Sequence, residues 1–332
     1  MILVTGAAGF IGYHLTKLLL SQGKKIVGLD NINDYYDVNL KYDRLNQLGI
    51  LKQNIIDDNI NETENFHFIK ADLTNHSILH DIFAKYNFTE VIHLAAQAGV
   101  RYSLENPKAY IDSNLIGFSN VIELSKKFNV KHFMYASSSS VYGNNQKIPF
   151  STNDNVDYPI SLYAATKKSN ELIAHTYSHL YELNTTGLRF FTVYGPWGRP
   201  DMAYFKFANA IFKGLSIDVY NHGDLIRDFT YIDDILEGID LLIKKGGDGY
   251  KVYNIGNNKP VKLLNFIEII ESLLNKKAKK NMLPMQKGDV YTTYADIDPL
   301  KKYCGYQPKW EIQEGLKEFV LWYQQYFSPH VR

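Results

Sequence analysis

Tyr163 and Lys167 stand four residues apart in Tyr163-Ala164-Ala165-Thr166-Lys167. On a helix that spacing puts both side chains on one face. A phenol has a free pKa of about 10, and an ammonium group beside it favours the phenolate. A tyrosine so placed takes a proton from a sugar hydroxyl near neutral pH. The pair alone is also a common chance pattern. Two further features add weight. Ser138, in the run Ser137-Ser138-Ser139-Ser140, lies 25 positions before Tyr163, and a glycine-rich loop opens the chain. Together the three point to hydride chemistry.

The loop is Gly6-Ala7-Ala8-Gly9-Phe10-Ile11-Gly12, between an apolar stretch Met1–Thr5 and a helical pattern Tyr13–Ser21. Strand, glycine turn and helix let backbone N–H groups approach a pyrophosphate at a helix N-terminus. Lys25–Leu29 reads as the second strand and ends in Asp30, 18 residues after Gly12. An acid at about that distance accepts hydrogen bonds from the adenosine ribose and repels a 2′-phosphate, which favours NAD over NADP. A polar strand end is the plainer alternative. Asp72 and Leu73 follow a third strand, Phe66–Ile69, and would border the adenine. The fourth strand, Glu90–Leu94, runs into Ala95 and Ala96, small enough to let a cofactor pass closely. His93 within it reads as a core residue.

These residues need a scaffold, and the order of strands and helices supplies one. Asn31 to Asn65 is a long polar connection with a helix near Leu40–Gln47, and its length suggests a functional insertion. Asn75 is placed to cap a helix reaching Tyr86. Asn106-Pro107 opens a long helix to about Phe128. Val130–Ala136 is a fifth strand that delivers the serines at its carboxyl end, where open α/β sheets bind ligands. The helix Ser161–Tyr181 carries Tyr163 and Lys167, and Thr185–Phe191 is a sixth strand. Irregular sequence from Tyr194 to Pro200 marks a departure, and Tyr250–Ile255 returns as a seventh strand. Helices are expected at Ala203–Lys213, Ile235–Lys244, Leu263–Leu274 and Leu316–Phe327. The expected fold is α/β: a Rossmann-type doubly wound parallel sheet with a smaller C-terminal substrate-binding lobe. The first lobe takes residues 1–191 plus a returning segment 226–258; the second takes 192–225 and 259–330. Arg199 and Arg227 stand beside loop residues, where a guanidinium fork suits a phosphate or a carboxylate; surface arginines are the alternative.

Composition narrows the classes. The chain has 332 residues and a net charge of +1, which points away from nucleic acid and membrane surfaces. The run Lys276, Lys277, Lys279, Lys280 reads as a solvated helix end. One cysteine, Cys304, excludes an internal disulfide framework and suits a reducing cytosol. The apolar N-terminus leads into the glycine loop and reads as a strand, not a signal peptide. No apolar run reaches the ~18 residues of a membrane span.

With these motifs in place, the chain resembles the extended short-chain dehydrogenase/reductase family from Met1 to about Phe327. More narrowly it is similar to the nucleotide-sugar 4-epimerases, and most of all to those acting on UDP-glucuronate. The stretches Leu29–Val38, Ala98-Gly99-Val100-Arg101-Tyr102-Ser103 and Phe190–Ala203 carry that likeness. The resemblance implies an NAD cofactor, no metal, a homodimer, a cytoplasmic place in polysaccharide biosynthesis, and exchange of UDP-glucuronate with UDP-galacturonate through a transient 4-keto sugar. It implies Ser138 and Tyr163 at the sugar 4-hydroxyl, with Tyr163 as base and Lys167 on the nicotinamide ribose. Around the cofactor it implies Gly6, Gly9, Phe10, Ile11, Gly12, Asp30, Asn31, Asn33, Asp72, Leu73, Leu94, Ala95, Ala96, Gln97, Asn114 and Phe191. Around the UDP-sugar it implies Arg101, Ser139, Thr192, Arg199, Arg227 and Asp289.

Two departures matter. Related 4,6-dehydratases carry an Asp-Glu pair where this chain has Ser139-Ser140, so the acid/base for elimination is missing there. Tyr291 follows Gly288-Asp289-Val290 where the pattern has proline, which touches the uridine pocket. Two competing readings use the same residues: a UDP-glucose or UDP-N-acetylhexosamine 4-epimerase, and a non-catalytic nucleotide-sugar-binding scaffold of this fold.

Overall fold

The computed structural model describes residues 1–286 and 288–328. Its chain divides into two compact units. The first comprises Met1–Gly143, Asn155–Arg189 and Ile239–Tyr253; the second comprises Asn144–Asp154, Phe190–Gly238 and the chain from Asn254 onward. The returning piece of the first unit is thus shorter than the expected 226–258, and residues 190 and 191 fall in the second unit. The expected lobe end at 330 lies outside the described residues.

Eight strands make the main sheet, in the spatial order Tyr250–Ile255, Thr185–Phe190, His132–Ser138, Glu90–His93, Ile2–Thr5, Ile26–Asp30, Phe66–Lys70, Ile60–Glu62. Ile2–Thr5 pairs in parallel with both Ile26–Asp30 and Glu90–His93. The outer strand Ile60–Glu62, absent from the sequence reading, runs antiparallel to its neighbour. Ile2–Thr5 and Ile26–Asp30 are buried at every residue, because helices cover both faces of a parallel sheet. Leu3, Val27, Leu29, Val91, Phe118, Val121 and Phe133 pack into one apolar cluster there. After Ile2–Thr5 the chain winds outward one way, then crosses back to Glu90–His93 on the other side. That reversal is a topological switch point, where such sheets bind ligands at the strands' carboxyl ends. The glycine loop and Leu94–Ala96 both begin at that edge.

The expected helix from Pro107 to Phe128 is not uniform. It is α-helical at Pro107–Ile111, π-helical at Asp112–Gly117 and α-helical again at Phe118–Lys127. Periodicity of 3.6 residues cannot announce a wider turn inside a helix.

The second unit holds small two-stranded ladders: Thr192–Tyr194 parallel to Phe229–Tyr231, Ile226–Arg227 antiparallel to Val261–Lys262, and Ser216–Val219 parallel to Lys279–Met282. Helices Ala203–Phe212 and Ile312–Phe327 pack through aromatic rings, with Phe205 against Phe319 and Tyr323, and Phe266 of helix Leu263–Leu274 stacks on Phe229. The lysine run lies exposed just past the end of helix Leu263–Leu274, as the sequence suggests, and it is also tied back to that helix. Lys277 and Lys280 both grip the buried carboxylate of Glu271, and Lys276 donates to the Phe212 carbonyl. Burial raises the Glu271 pKa, but hydrogen bonds from Lys280 and Lys277 outweigh it and hold the group at about 2.

Candidate active site

The glycine loop is shaped by close approaches that only glycine permits. Gly6 has φ +74°, and a Cβ there would meet the Ala95 amide nitrogen at 2.8 Å. A Cβ on Gly12 would lie 2.0 Å from the Gly6 carbonyl oxygen. Helix Phe10–Ser21 then starts at Gly9 with no side-chain cap and no acid in its first turn. Its first amides have no partner within the helix, so they form a donor set suited to an anion such as a pyrophosphate.

Asp30 is buried beside this loop. Its carboxylate accepts from Ala8 N–H (3.2 Å) and Ile32 N–H (2.8 Å). Asn31 donates to Asp72 (2.8 Å), and Asn33 accepts from Lys41 Nζ (2.8 Å). At Asp72, burial pushes the carboxyl up, yet hydrogen bonds from Asn31 and Thr74 win and hold it below its ordinary value. Phe10 and Leu73 are buried, and Ile11 is half-buried. All these residues belong to the first unit and line the sheet's switch point.

On the other side of that point, Thr5 Oγ1 accepts from Ala95 N–H (3.2 Å) and lies 3.0 Å from His93 Nδ1. His93 is buried among Phe118 and Phe133, as a core residue should be, and burial together with the Lys167 charge drives its pKa down to about 3. Asn114 sits in the π-helical turn. Its amide accepts from Gln97 N–H (2.8 Å) and donates to the Gln97 carbonyl (3.0 Å) and Thr166 Oγ1 (3.1 Å). Asn114 therefore fixes the half-buried Leu94–Ala96 backbone by holding the residue that follows it.

Helix Leu162–Tyr181 is capped by Ser161, whose hydroxyl accepts from Ala164 N–H at 3.1 Å. Tyr163 is half-buried on its first turn, edge-on to Tyr110 at 6.1 Å. Tyr110 in turn donates to the Gly99 carbonyl at 2.5 Å. Lys167, one turn on, is 3% exposed. Its Nζ donates to the Ala136 carbonyl at 2.8 Å, and burial pushes its pKa down to about 7. Ala136 lies in strand His132–Ser138, so this bond ties the helix to the serine-bearing strand. Ser138 Oγ accepts from Ser140 N–H (3.1 Å) and donates to Ser140 Oγ (3.2 Å). A second tie runs deeper. Glu171 accepts from Ser137 Oγ (2.6 Å) and takes both arms of Arg189 (2.8 Å each), all three buried. Tyr163, Lys167 and the serine end of the strand are thus brought together, with Ser139 half-buried and Arg101 exposed at the start of helix Tyr102–Glu105.

The second unit holds Phe191, Thr192, Arg199, Arg227 and Asp289. Phe191 is buried against Phe150, and Thr192 begins its strand by donating to the Asp228 carbonyl at 3.1 Å. Arg199 makes a two-point ion pair with Asp201. Arg227 Nη1 donates to the carbonyls of Ile226 and Tyr291, each at 2.9 Å. Asp289 is half-buried in the loop that leads to Tyr291, whose hydroxyl donates to Asp224 at 2.7 Å. Asp228 is fully buried and accepts from the amides of Asn257 (2.8 Å), Asn258 (3.0 Å) and Ala295 (3.1 Å) and from Thr230 Oγ1 (3.2 Å). It fastens the strand before Thr192's partner to two other segments.

The sequence pattern of the NAD dependent epimerase/dehydratase family matches residues 2–256. The chain belongs to that family. Among epimerase/dehydratase relatives, the protein CapI of Staphylococcus aureus is 55% identical across 98% of this chain and 99% of its own length. A probable UDP-glucuronate 4-epimerase of Rhizobium meliloti is 48% identical across 97% of this chain and 96% of its own. The crystal structure of a Bacillus cereus UDP-glucuronic acid 4-epimerase, in complex with UDP-glucuronic acid and NAD, aligns with a TM-score of 0.89. It is 31% identical and covers 98% of this chain and 99% of that one.

Several residues that hold these candidate side chains in place, within one unit or the other, escaped the sequence reading. Glu171 was within reach, since it lies four residues past Lys167 on the same helical face. Asp201 was also within reach, two residues past Arg199, whereas Arg189 and Asp228 carry no local signal and matter through partners that only the fold supplies.

Proposed function

We propose that the chain is an NAD-dependent 4-epimerase that interconverts UDP-glucuronate and UDP-galacturonate. One observation carries this reading. Tyr163 and Lys167 share a helix face tied to the serine end of His132–Ser138, in a family member whose relatives are named for this reaction.

The glycine loop fits a pyrophosphate, and Asp30, Asn31, Asn33, Asp72 and Leu73 fit the adenosine end of NAD. Leu94, Ala95, Ala96, Gln97 and Phe191 would border the rest, with Asn114 steadying them. NAD, when bound, supplies the acceptor and the source of the C4 hydrogen. The chain's own residues handle protons and placement. Tyr163 takes the 4-hydroxyl proton and returns it, while Ser138 holds the same oxygen. Lys167 holds the nicotinamide ribose, and the bound polyanion favours its charged form. The resulting 4-keto uronate is a β-keto acid, which loses CO₂ when its carboxylate bond aligns with the carbonyl π system. Ser139, Thr192 and Arg199 would hold the carboxylate out of that alignment, with Arg101 nearby on the sugar. Arg227 and Asp289 would anchor the diphosphate and uridine ribose, remote from the reacting carbon.

A homodimer fits the exposed apolar residues Ile111, Ile116, Leu172 and Leu180 on two helices of the first unit. No helix among the described residues is long and apolar enough to cross a membrane. A cytoplasmic place in polysaccharide precursor supply fits the substrate class and a chain with a single cysteine, Cys304.

Proton NMR of the purified protein with UDP-glucuronate, then with UDP-glucose, and no added NAD, tests the reading. Appearance of the galacturonate anomeric signal supports it. Faster turnover of UDP-glucose selects the hexose epimerase, and bound NAD without any turnover selects the non-catalytic scaffold.

A further inference from the structure

The polar segment after Asp30 contains two buried cations. Helix Val38–Gln47 carries Lys41, 5% exposed, and Arg44, fully buried, three residues apart and so on one face. Burying a cation costs several kcal/mol of desolvation, and apolar residues of similar volume commonly serve stability as well or better. Such placement calls for a reason, and the partners suggest one. Arg44 Nη1 donates to the Ala8 carbonyl at 2.9 Å and to the Tyr36 hydroxyl at 2.8 Å. Ala8 lies inside the glycine loop, and its N–H is already held by Asp30. Both polar ends of Ala8 are therefore clamped, one by the ribose-side carboxylate and one by Arg44. Lys41 meanwhile holds both the Asn33 carbonyl (2.9 Å) and its side-chain oxygen (2.8 Å). The ring of Tyr35, between those anchor points, packs on Tyr102 at 4.8 Å. Residues 31–36 are thus pinned along their length, next to the carboxylate that faces the adenosine.

We propose that Arg44 is a positioning residue for the dinucleotide. It fixes the Ala8 carbonyl, and through it the direction of the amides that follow. With Lys41 it fastens the segment after Asp30 to the same loop, so that a bound dinucleotide leaves slowly. This rests on the epimerase reading, in which the cofactor is regenerated at each turnover and gains from staying bound.

The test is the rate at which NAD leaves the purified holoenzyme, followed by dilution into excess apo-protein or a trapping dehydrogenase. Arg44→Met removes a charge-assisted hydrogen bond of the kind whose loss costs roughly 10- to 150-fold. We expect release to accelerate by about that range, with kcat at saturating NAD within about twofold of wild type. Arg44→Lys keeps the charge without the fork and should fall between. Unchanged release in Arg44→Met overturns the proposal; so does a fall in kcat at saturating NAD with release unaltered. If Arg44→Met does not fold, Tyr36→Phe decides instead. It removes one acceptor from a retained Arg44, and accelerated release supports the proposal while wild-type release overturns it. A wild-type protein that holds no NAD at all would instead remove the epimerase reading itself.

Discussion

The guanidinium of Arg199 is held at two points by the carboxylate of Asp201, Nε to Oδ1 at 3.0 Å and Nη2 to Oδ2 at 2.5 Å. Asp201 thus occupies the fork that a uronate carboxylate would use. On the proposed function an anionic sugar would have to displace it or share the guanidinium, whereas a neutral hexose would not. Arg199→Met should lower kcat/KM for UDP-glucuronate roughly 10- to 150-fold, the range for a lost charge-assisted pair, and affect UDP-glucose far less. Asp201→Asn weakens the competitor and should lower the KM for UDP-glucuronate. Equal losses on both substrates in Arg199→Met would assign Arg199 to the shared diphosphate or to the fold.

Tyr163→Phe removes one oxygen and keeps the ring against Tyr110. Loss of a general acid/base typically costs 10²–10⁴-fold, so kcat should fall by about that much with NAD still bound. Retention of more than about half the activity would place the base elsewhere.

Lys167 links catalysis to stability through pH. Burial lowers its pKa from 10.5 to about 7, so the folded, cofactor-free protein resists its charge. Between these values the unfolded chain binds the extra proton, and stability rises with pH. Below about 7 the penalty is complete; above the free value near 10.4 it vanishes. Lys167→Met should therefore melt higher than wild type near neutral pH without cofactor, with the gap closing toward about pH 10, while losing activity. A melting difference that does not change with pH would show that the ammonium is not the destabilising element.

Asp30 has both oxygens engaged by backbone amides, and so stands as a fixed negative group at the end of its strand. Stripped protein should regain activity with NAD⁺ and much less with NADP⁺, whose 2′-phosphate meets that charge. Equal recovery with the two cofactors would remove Asp30 from the ribose site.

Asp228 gathers four hydrogen bonds on one buried carboxylate in the second unit. Asp228→Ala leaves two buried amides, the half-buried Asn258 amide and the Thr230 hydroxyl without their acceptor. At about 1–3 kcal/mol for each unsatisfied group, urea unfolding should show a loss of at least ~3 kcal/mol. Asp228→Asn, which keeps the shape and one acceptor oxygen, should lose less. A loss below ~1 kcal/mol in the alanine variant would mean that water replaces the carboxylate.

What could be read from the sequence was what depends on neighbours along the chain. The glycine spacing, the acid after the second strand, the Asn75 cap and the Tyr163–Lys167 face are all local. Tyr250–Ile255 and Leu263–Leu274 have the expected bounds because their patterns are uninterrupted. The lysines after Leu274 are exposed as read, but their ties to Glu271 were out of reach because the turn that follows the helix sets them. Arg44 and Asp228 were opaque for the same reason: a buried charge makes sense only once its acceptors or donors have been folded around it.

The π-helical turn Asp112–Gly117 also constrains how this chain can change in length. A π-turn holds an extra residue, and each residue of an α-helix advances by about 100°. Deleting one residue there would leave an unbroken α-helix, locally the easier structure to form. The wider turn absorbs that extra residue, so the helix after it would keep its face, with Phe118, Val121 and Ile122 still on the sheet; what would be lost is the bulged position that lets Asn114 hold Gln97. The fold should therefore tolerate a single-codon deletion there, while the hold of Asn114 on Gln97 should not.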